Sequence, residues 1–154
     1  MNVIVVGVDH SEQAKKALRF ALEEAKLRNA KLRVVHAWRY GTIGATATAG
    51  IDGFYTPVVG ADVEDLREAA EQALEDTLRE PLADTDSVEI ERRVVEGPPA
   101  SVLVNESRDA DLLVVGSRGH GGFTELLLGS VSQQVSHHAA CPVVIVRPKP
   151  EAGD

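Results

Sequence analysis

The sequence predicts a single α/β domain: a doubly wound, five-stranded, mostly parallel sheet with four helices and strand order 3-2-1-4-5. Three observations carry this. Short β-branched runs with no polar alternation recur along the chain, the pattern of strands buried on both faces. Stretches with apolar residues at helical spacing separate them, and strands divided by helices imply parallel pairing with right-handed crossovers. Aromatic residues are only 4% of the 154, while Val, Ala and Leu dominate, which suits a parallel sheet covered by Ala- and Leu-faced helices.

Val3–Val8 reads as the first strand. Ser11 is a helix N-cap, followed by Ala14, Ala17, Leu18, Ala21, Leu22 and Ala25 as one apolar stripe, and Asn29 is the stop. Leu32–Trp38 is the second strand. The stretch from Arg39 to Ala61 has no period and holds Gly41, Gly44, Gly50, Gly53, Gly60 and Pro57. Connections of that length in a compact domain are functional lids or insertions without a role; both readings stand, and 39–61 is taken as a flexible lid. Asp62 caps the second helix, whose face carries Val63, Leu66, Ala69, Ala70, Ala73, Leu74, Thr77 and Leu78.

Ser87–Val95 is the third strand. Its alternation of Val88 and Ile90 with Glu89 and Glu91 predicts a sheet edge with one half-exposed face. Pro98 and Pro99 open the third helix, since proline suits a first turn. Asp111–Gly116 is the fourth strand, Val131–Ala139 the fourth helix and Pro142–Pro148 the fifth strand. The domain is expected to span 1–148, with 149–154 a frayed tail.

Composition excludes several functions. A formal net charge of −8 opposes nucleic acid, whose phosphates demand a basic surface. The single Cys141 rules out an intrachain disulfide and a cysteine zinc cluster, and fits a reducing compartment. No basic leader with a cleavage site precedes Asp9, and no apolar run approaches the roughly 18 residues that span a bilayer. A cytoplasmic protein with no membrane contact is the expectation.

Doubly wound sheets bind ligands beyond the carboxyl ends of their strands, at the switch point. Two ends carry unusual residues: Gly7-Val8-Asp9 after the first strand, and Gly116-Ser117-Arg118-Gly119 after the fourth. Glycines there let backbone N–H groups form a nest for phosphate oxygens. Gly129-Ser130 opens a helix whose first amides are unpaired and electropositive. The pattern is neither a dinucleotide fingerprint nor a P-loop, because the G-x-G-x-x-G and Gly-Lys-Ser/Thr runs are absent.

The spacing of Gly116, two residues, Gly119, nine residues, then Gly129-Ser130 resembles the nucleotide signature of the universal stress protein family. Val5–Glu12, Val34–Ala37, Leu128–Ser132 and Cys141–Val146 are similar to that family's other segments, so the resemblance covers about residues 2 to 148 except the lid. It implies that Gly7 and Asp9 meet the adenosine, that the Ala37 backbone pairs with the adenine edge, and that Val115 and Gly116 flank base and ribose. It further implies that Ser117, Arg118, Gly119, Gly129, Ser130 and Val131 form the phosphate side. The implied ligand is ATP, with or without Mg²⁺, and cyclic AMP or AMP are alternatives. The implied partner is a second copy of the chain, joined through strand 143–147 in a homodimer.

Other readings of single residues stay open. Ser130 and Gln133 match a capping box. A turn before Ser11 is the alternative role of Asp9. Arg118 touches phosphate or is solvated, His120 and the His137-His138 pair lack metal partners, and His36 reads as a satisfied sheet-edge histidine. Phosphoryl transfer wants a cation clamp and metal-holding acids; the loop offers one arginine and the first strand one aspartate. No catalytic residue is therefore assigned, and slow ATP hydrolysis and a nucleotide-independent dimeric scaffold are the alternatives to a nucleotide-gated stress-response module.

Overall fold

The structure is a computed structural model and describes residues 2–9, 11–39, 63–83, 85, 87–117 and 128–148. Nearly all of the expected lid, the Asp62 cap, Arg118, Gly119, His120 and the 149–154 tail lie outside the described residues.

The elements run β1 (Val3–Gly7), α1 (Glu12–Arg28), β2 (Lys31–Trp38), α2 (Val63–Leu78), β3 (Ile90–Glu96), α3 (Pro99–Glu106), a 3₁₀ turn (Ser107–Asp109), β4 (Leu112–Gly116), α4 (Ser130–His138) and β5 (Val143–Val146). The sheet order is β3-β2-β1-β4-β5 and every pairing is parallel. The fold matches the expectation from sequence. β3 starts at Ile90 rather than Ser87, with Leu32 opposite Ile90 in the ladder.

Local chemistry sets the helix ends. The Ser11 hydroxyl accepts the Ala14 N–H at 3.1 Å and caps α1. Asn29 ends α1 in the left-handed region, at φ 51°, where its N–H reaches the carbonyls of Ala25 and Lys26. Pro98 is the N-cap of α3 and Pro99 stands at its first position.

Two apolar layers sandwich the sheet. On one face Ile4, Val6, Leu32, Val34, Leu112 and Val114 pack against the stripe of α1 and against Leu74 and Leu78 of α2. On the other, Val5, Val35, Ala37, Leu113 and Val115 pack against Val102 and Leu103 of α3 and Val135 of α4. The alternation of faces along each strand follows from the pleat.

The lower part of this second face is ionic. Arg33 is buried, at 4% exposure, and bonds Glu91 at 3.1 Å, Glu106 at 3.1 Å and Asp109 at 2.8 Å. Arg93 closes the cluster on Glu106 at 3.0 Å, and Lys31 adds a contact to Glu91 at 3.1 Å. Burial opposes ionisation of Glu91, yet hydrogen bonds from Lys31, Arg33 and Arg93 outweigh it and hold its carboxyl at about 2. The hydrogen bond from Arg33 lowers the Asp109 pKa as well. Each buried charge is thus matched, and the cluster ties α3 to β2 and β3.

Candidate functional site

Strand order puts the switch point between β1 and β4, whose crossovers leave the sheet in opposite directions. The candidate residues that are described gather there. Asp9 follows β1, Ala37 lies near the end of β2, Gly116 ends β4 and Gly129–Val131 begin α4.

The β4 end and the α4 start are fastened together. The Ser117 carbonyl accepts the Gly129 N–H at 2.7 Å and the Ser132 hydroxyl at 2.9 Å. Ser117 and Ser132 are each 2% exposed, so this junction is shielded from water. The same Ser132 hydroxyl lies 3.0 Å from the Gly129 carbonyl. The first backbone bond of the α4 ladder is that of the Gln133 N–H to the Gly129 carbonyl, at 3.0 Å. The amides of Ser130, Val131 and Ser132 precede it in the first turn, where the positive end of the helix dipole lies.

One expectation is corrected here. Gly129, not Ser130, is the N-cap, and no side chain caps the helix; the exposed Ser130 is the first helical residue. The capping-box reading of Ser130 and Gln133 therefore fails. The Gly129 N–H is engaged by the Ser117 carbonyl, so the first-turn amides that precede the backbone ladder of α4 start one residue later, at Ser130.

At the end of β2 the ladder leaves peptide groups over. The Val8 N–H donates to the Val35 carbonyl at 2.9 Å, so Val35 faces β1. Peptide groups alternate sides along a strand, and Trp38 faces β3, where its carbonyl accepts the Gly97 N–H at 2.8 Å. Ala37 therefore turns its N–H and C=O toward the β1 side, past the end of β1.

Asp9 is half-buried and accepts both the N–H of Ser11, at 2.8 Å, and the Ser11 hydroxyl on one oxygen, Oδ1. The turn before Ser11 is thus real, and it holds the carboxylate in place beside the crevice. Below it, His36 is 1% exposed and its Nδ1 lies 3.0 Å from the Val8 carbonyl. Burial pushes the His36 pKa down, against the opposing pull of Val8 and Asp9.

The strand-end glycines have packing roles. A Cβ on Gly7 would stand 2.6 Å from Leu103 Cδ1 of α3, and one on Gly116 would stand 3.3 Å from Gln13 Cβ of α1. Each glycine lets a helix close on the sheet, from opposite faces. The Val115 side chain belongs to the core and Val131 packs against it, while the Val115 peptide groups lie in the ladder with β5, where Val115 pairs with Ile145. Ser132 and Gln13 were not singled out from sequence; a buried hydroxyl one turn into a helix has no local signal. Among the described residues no cluster of three or more metal-ligating side chains occurs, and no helix is long and apolar enough to cross a membrane.

The fold is a doubly wound α/β domain whose described candidate residues lie at the carboxyl ends of β1 and β4, the switch point at which sheets of this class bind ligands. The family model "Universal stress protein family" matches residues 1–147, and the chain belongs to that family. It is 35% identical over 146 residues to a universal stress protein of Mycolicibacterium smegmatis, covering 95% of this chain and 46% of that one. It is also 35% identical over 150 residues to the universal stress protein YxiE of Bacillus subtilis, covering 95% of this chain and 99% of YxiE. The chain thus spans about half the length of the mycobacterial relatives it matches. Among solved structures it is similar to a universal stress protein in complex with cAMP, with TM-score 0.68, 26% identity and coverage of 96% of this chain and 98% of that one. It is similar too to the universal stress protein from Archaeoglobus fulgidus in complex with dAMP, with TM-score 0.58, 28% identity and coverage of 96% and 98%.

Proposed function

We propose that this chain is an adenine-nucleotide-binding module that takes ATP in the crevice between β1 and β4, phosphates toward the first turn of α4. The observation that carries the reading is the Ser117 junction, which fixes the α4 amides of Ser130 and Val131 against the end of β4. Backbone donors suit a protein of net charge −8, because they offer local positive potential without a basic surface. The peptide groups of Ala37 supply the donor and acceptor pair that an adenine edge requires, and Asp9 stands beside them for the ribose. Gly116, Ser117, Arg118 and Gly119 complete the phosphate side. No cluster of described side chains would cage Mg²⁺, so the ion would arrive with the nucleotide and offset phosphate charge there.

ATP has about 31 heavy atoms; at about 0.3 kcal/mol each this gives about 9 kcal/mol, a sub-micromolar to micromolar dissociation constant. AMP and cyclic AMP use the same base and ribose contacts with one phosphate, and the relatives with cAMP and dAMP favour keeping them as ligands. The role is a nucleotide-dependent step in the stress response of the cytoplasm rather than catalysis. A homodimer forms through β5, an edge strand whose four apolar residues, Val143–Val146, are all half-buried.

The test is the small molecule carried by the freshly purified protein, released by acid and identified by chromatography. An adenine nucleotide in near-stoichiometric amount is expected. Protein that carries none, and takes none up at millimolar ATP or cyclic AMP with magnesium, overturns the reading.

A further inference from the structure

We propose that Gln13 is a specificity-determining residue whose Oε1 accepts a hydrogen bond from a ribose hydroxyl of the bound nucleotide. The inference rests on the nucleotide reading and adds a residue and a selectivity to it.

Gln13 is the second residue of α1, four positions after Asp9. Its Cβ would lie 3.3 Å, and its carbonyl oxygen 3.4 Å, from a Cβ on Gly116. It therefore stands over the gap between the ends of β1 and β4. Its Oε1 is buried and has no hydrogen-bond partner. Such an acceptor carries an uncompensated desolvation cost in the unliganded fold. A group held that way at a switch point is completed by a donor that arrives with the ligand.

The chemistry narrows the donor. Phosphate oxygens only accept, so an acceptor oxygen cannot serve them. An adenine nucleotide donates through its ribose hydroxyls and its exocyclic amine. Gly116 is one residue from Ser117, whose carbonyl is bonded to Gly129 at the phosphate end. Gln13 is thereby near the phosphate end of the crevice, and the sugar is the donor-bearing part of the ligand that adjoins phosphate. A site built around a substrate hydroxyl rejects the analogue that lacks it, because its buried acceptor is then left unpaired.

The experiment titrates ATP, 2′-deoxyATP and 3′-deoxyATP into the wild type, Gln13→Met and Gln13→Leu, and follows melting of each protein without nucleotide. The wild type is expected to bind one deoxy analogue about tenfold more weakly than ATP. Both variants should lose that preference by weakening ATP alone, while melting at or above the wild-type temperature because a buried unpaired oxygen is gone. The two deoxy arms tell the 2′ from the 3′ hydroxyl. Equal binding of all three nucleotides by the wild type overturns the inference and leaves the nucleotide reading standing. So does a preference that survives in both variants, or a loss of melting temperature in both that marks Gln13 as a packing residue. A wild type that binds no ATP overturns the nucleotide reading and this inference with it.

Discussion

The buried hydroxyl of Ser132 donates to the carbonyl of Ser117 at 2.9 Å, joining the first turn of α4 to the first residue after β4. That carbonyl also accepts the Gly129 N–H, so one oxygen fixes both the cap and the third residue of the helix. Ser132→Ala removes one of the two bonds and leaves the other. A loss of about 1 kcal/mol in stability is expected, with a several-fold loss of ATP affinity as the α4 amides lose register. Urea unfolding and calorimetry on the same variant check both. Unchanged affinity would separate the junction from the ligand site.

Gly7 and Leu103 make a second test of packing. Gly7→Ala drives its Cβ into a leucine that is 4% exposed, and a cost of about 1–3 kcal/mol is expected for overpacking. In a Leu103→Ala background the same change should cost nearly nothing, because the obstructing methyl groups are gone. Denaturant midpoints of the four proteins give the coupling. An undiminished cost in that background would mean that the glycine is needed for its backbone and not for α3.

Arg33 is held by three carboxylates, one of which, Glu106, is 7% exposed. Arg33→Ala leaves that buried charge with Arg93 as its remaining partner, and a loss of about 3–5 kcal/mol is expected. Thermal unfolding checks it. A loss below 1 kcal/mol would mean that the cluster is open to water.

The same cluster sets an acid limit. The Glu91 carboxyl sits at about 2 in the fold against an ordinary 4.5, so the folded state holds its proton less readily than the unfolded chain does. Its contribution is complete above pH 4.5 and is lost as pH falls through 2. The stability gap between wild type and Glu91→Gln should therefore be constant above pH 5 and shrink steadily toward pH 2.5. A gap that does not change with pH contradicts the assignment.

His36 lies with its pKa pushed below 6.5 by burial under the crevice. The unfolded chain takes the proton first, so this residue contributes stability above pH 6.5 that declines as pH falls through the lower folded value. Proton NMR of the imidazole should show a titration midpoint below 6.5. A midpoint at or above 6.5 would contradict the buried environment.

The topology was legible because the short strands β1 and β4 are buried on both faces and so appear as unbroken apolar runs, and because Ser11, Asn29 and Pro99 mark helix ends by local chemistry. The site was legible only in part. Gly7 and Gly116 stand out in sequence, but their contacts with Leu103 and Gln13 join segments distant along the chain. Ser130 and Gln133 satisfy a capping pattern, yet the Ser117 junction makes Gly129 the cap instead. Arg33 sits within an apolar strand, and its partners Glu91, Glu106 and Asp109 lie 58 to 76 residues away, beyond any local pattern.

The ligand assignment depends on main-chain N–H groups at the start of α4. Ser130 is exposed and is the first helical residue, and Gly129 before it is extended at φ −66°, ψ 165°, so proline fits at 130 without disturbing the helix. Calorimetric titration of ATP with magnesium into the wild type, Ser130→Ala and Ser130→Pro compares loss of a hydroxyl with loss of an amide. The account predicts micromolar or tighter binding by the wild type, a small change in Ser130→Ala and a loss of about tenfold or more in Ser130→Pro. Equal affinity of all three proteins, or no heat from the wild type at millimolar ATP, would contradict it.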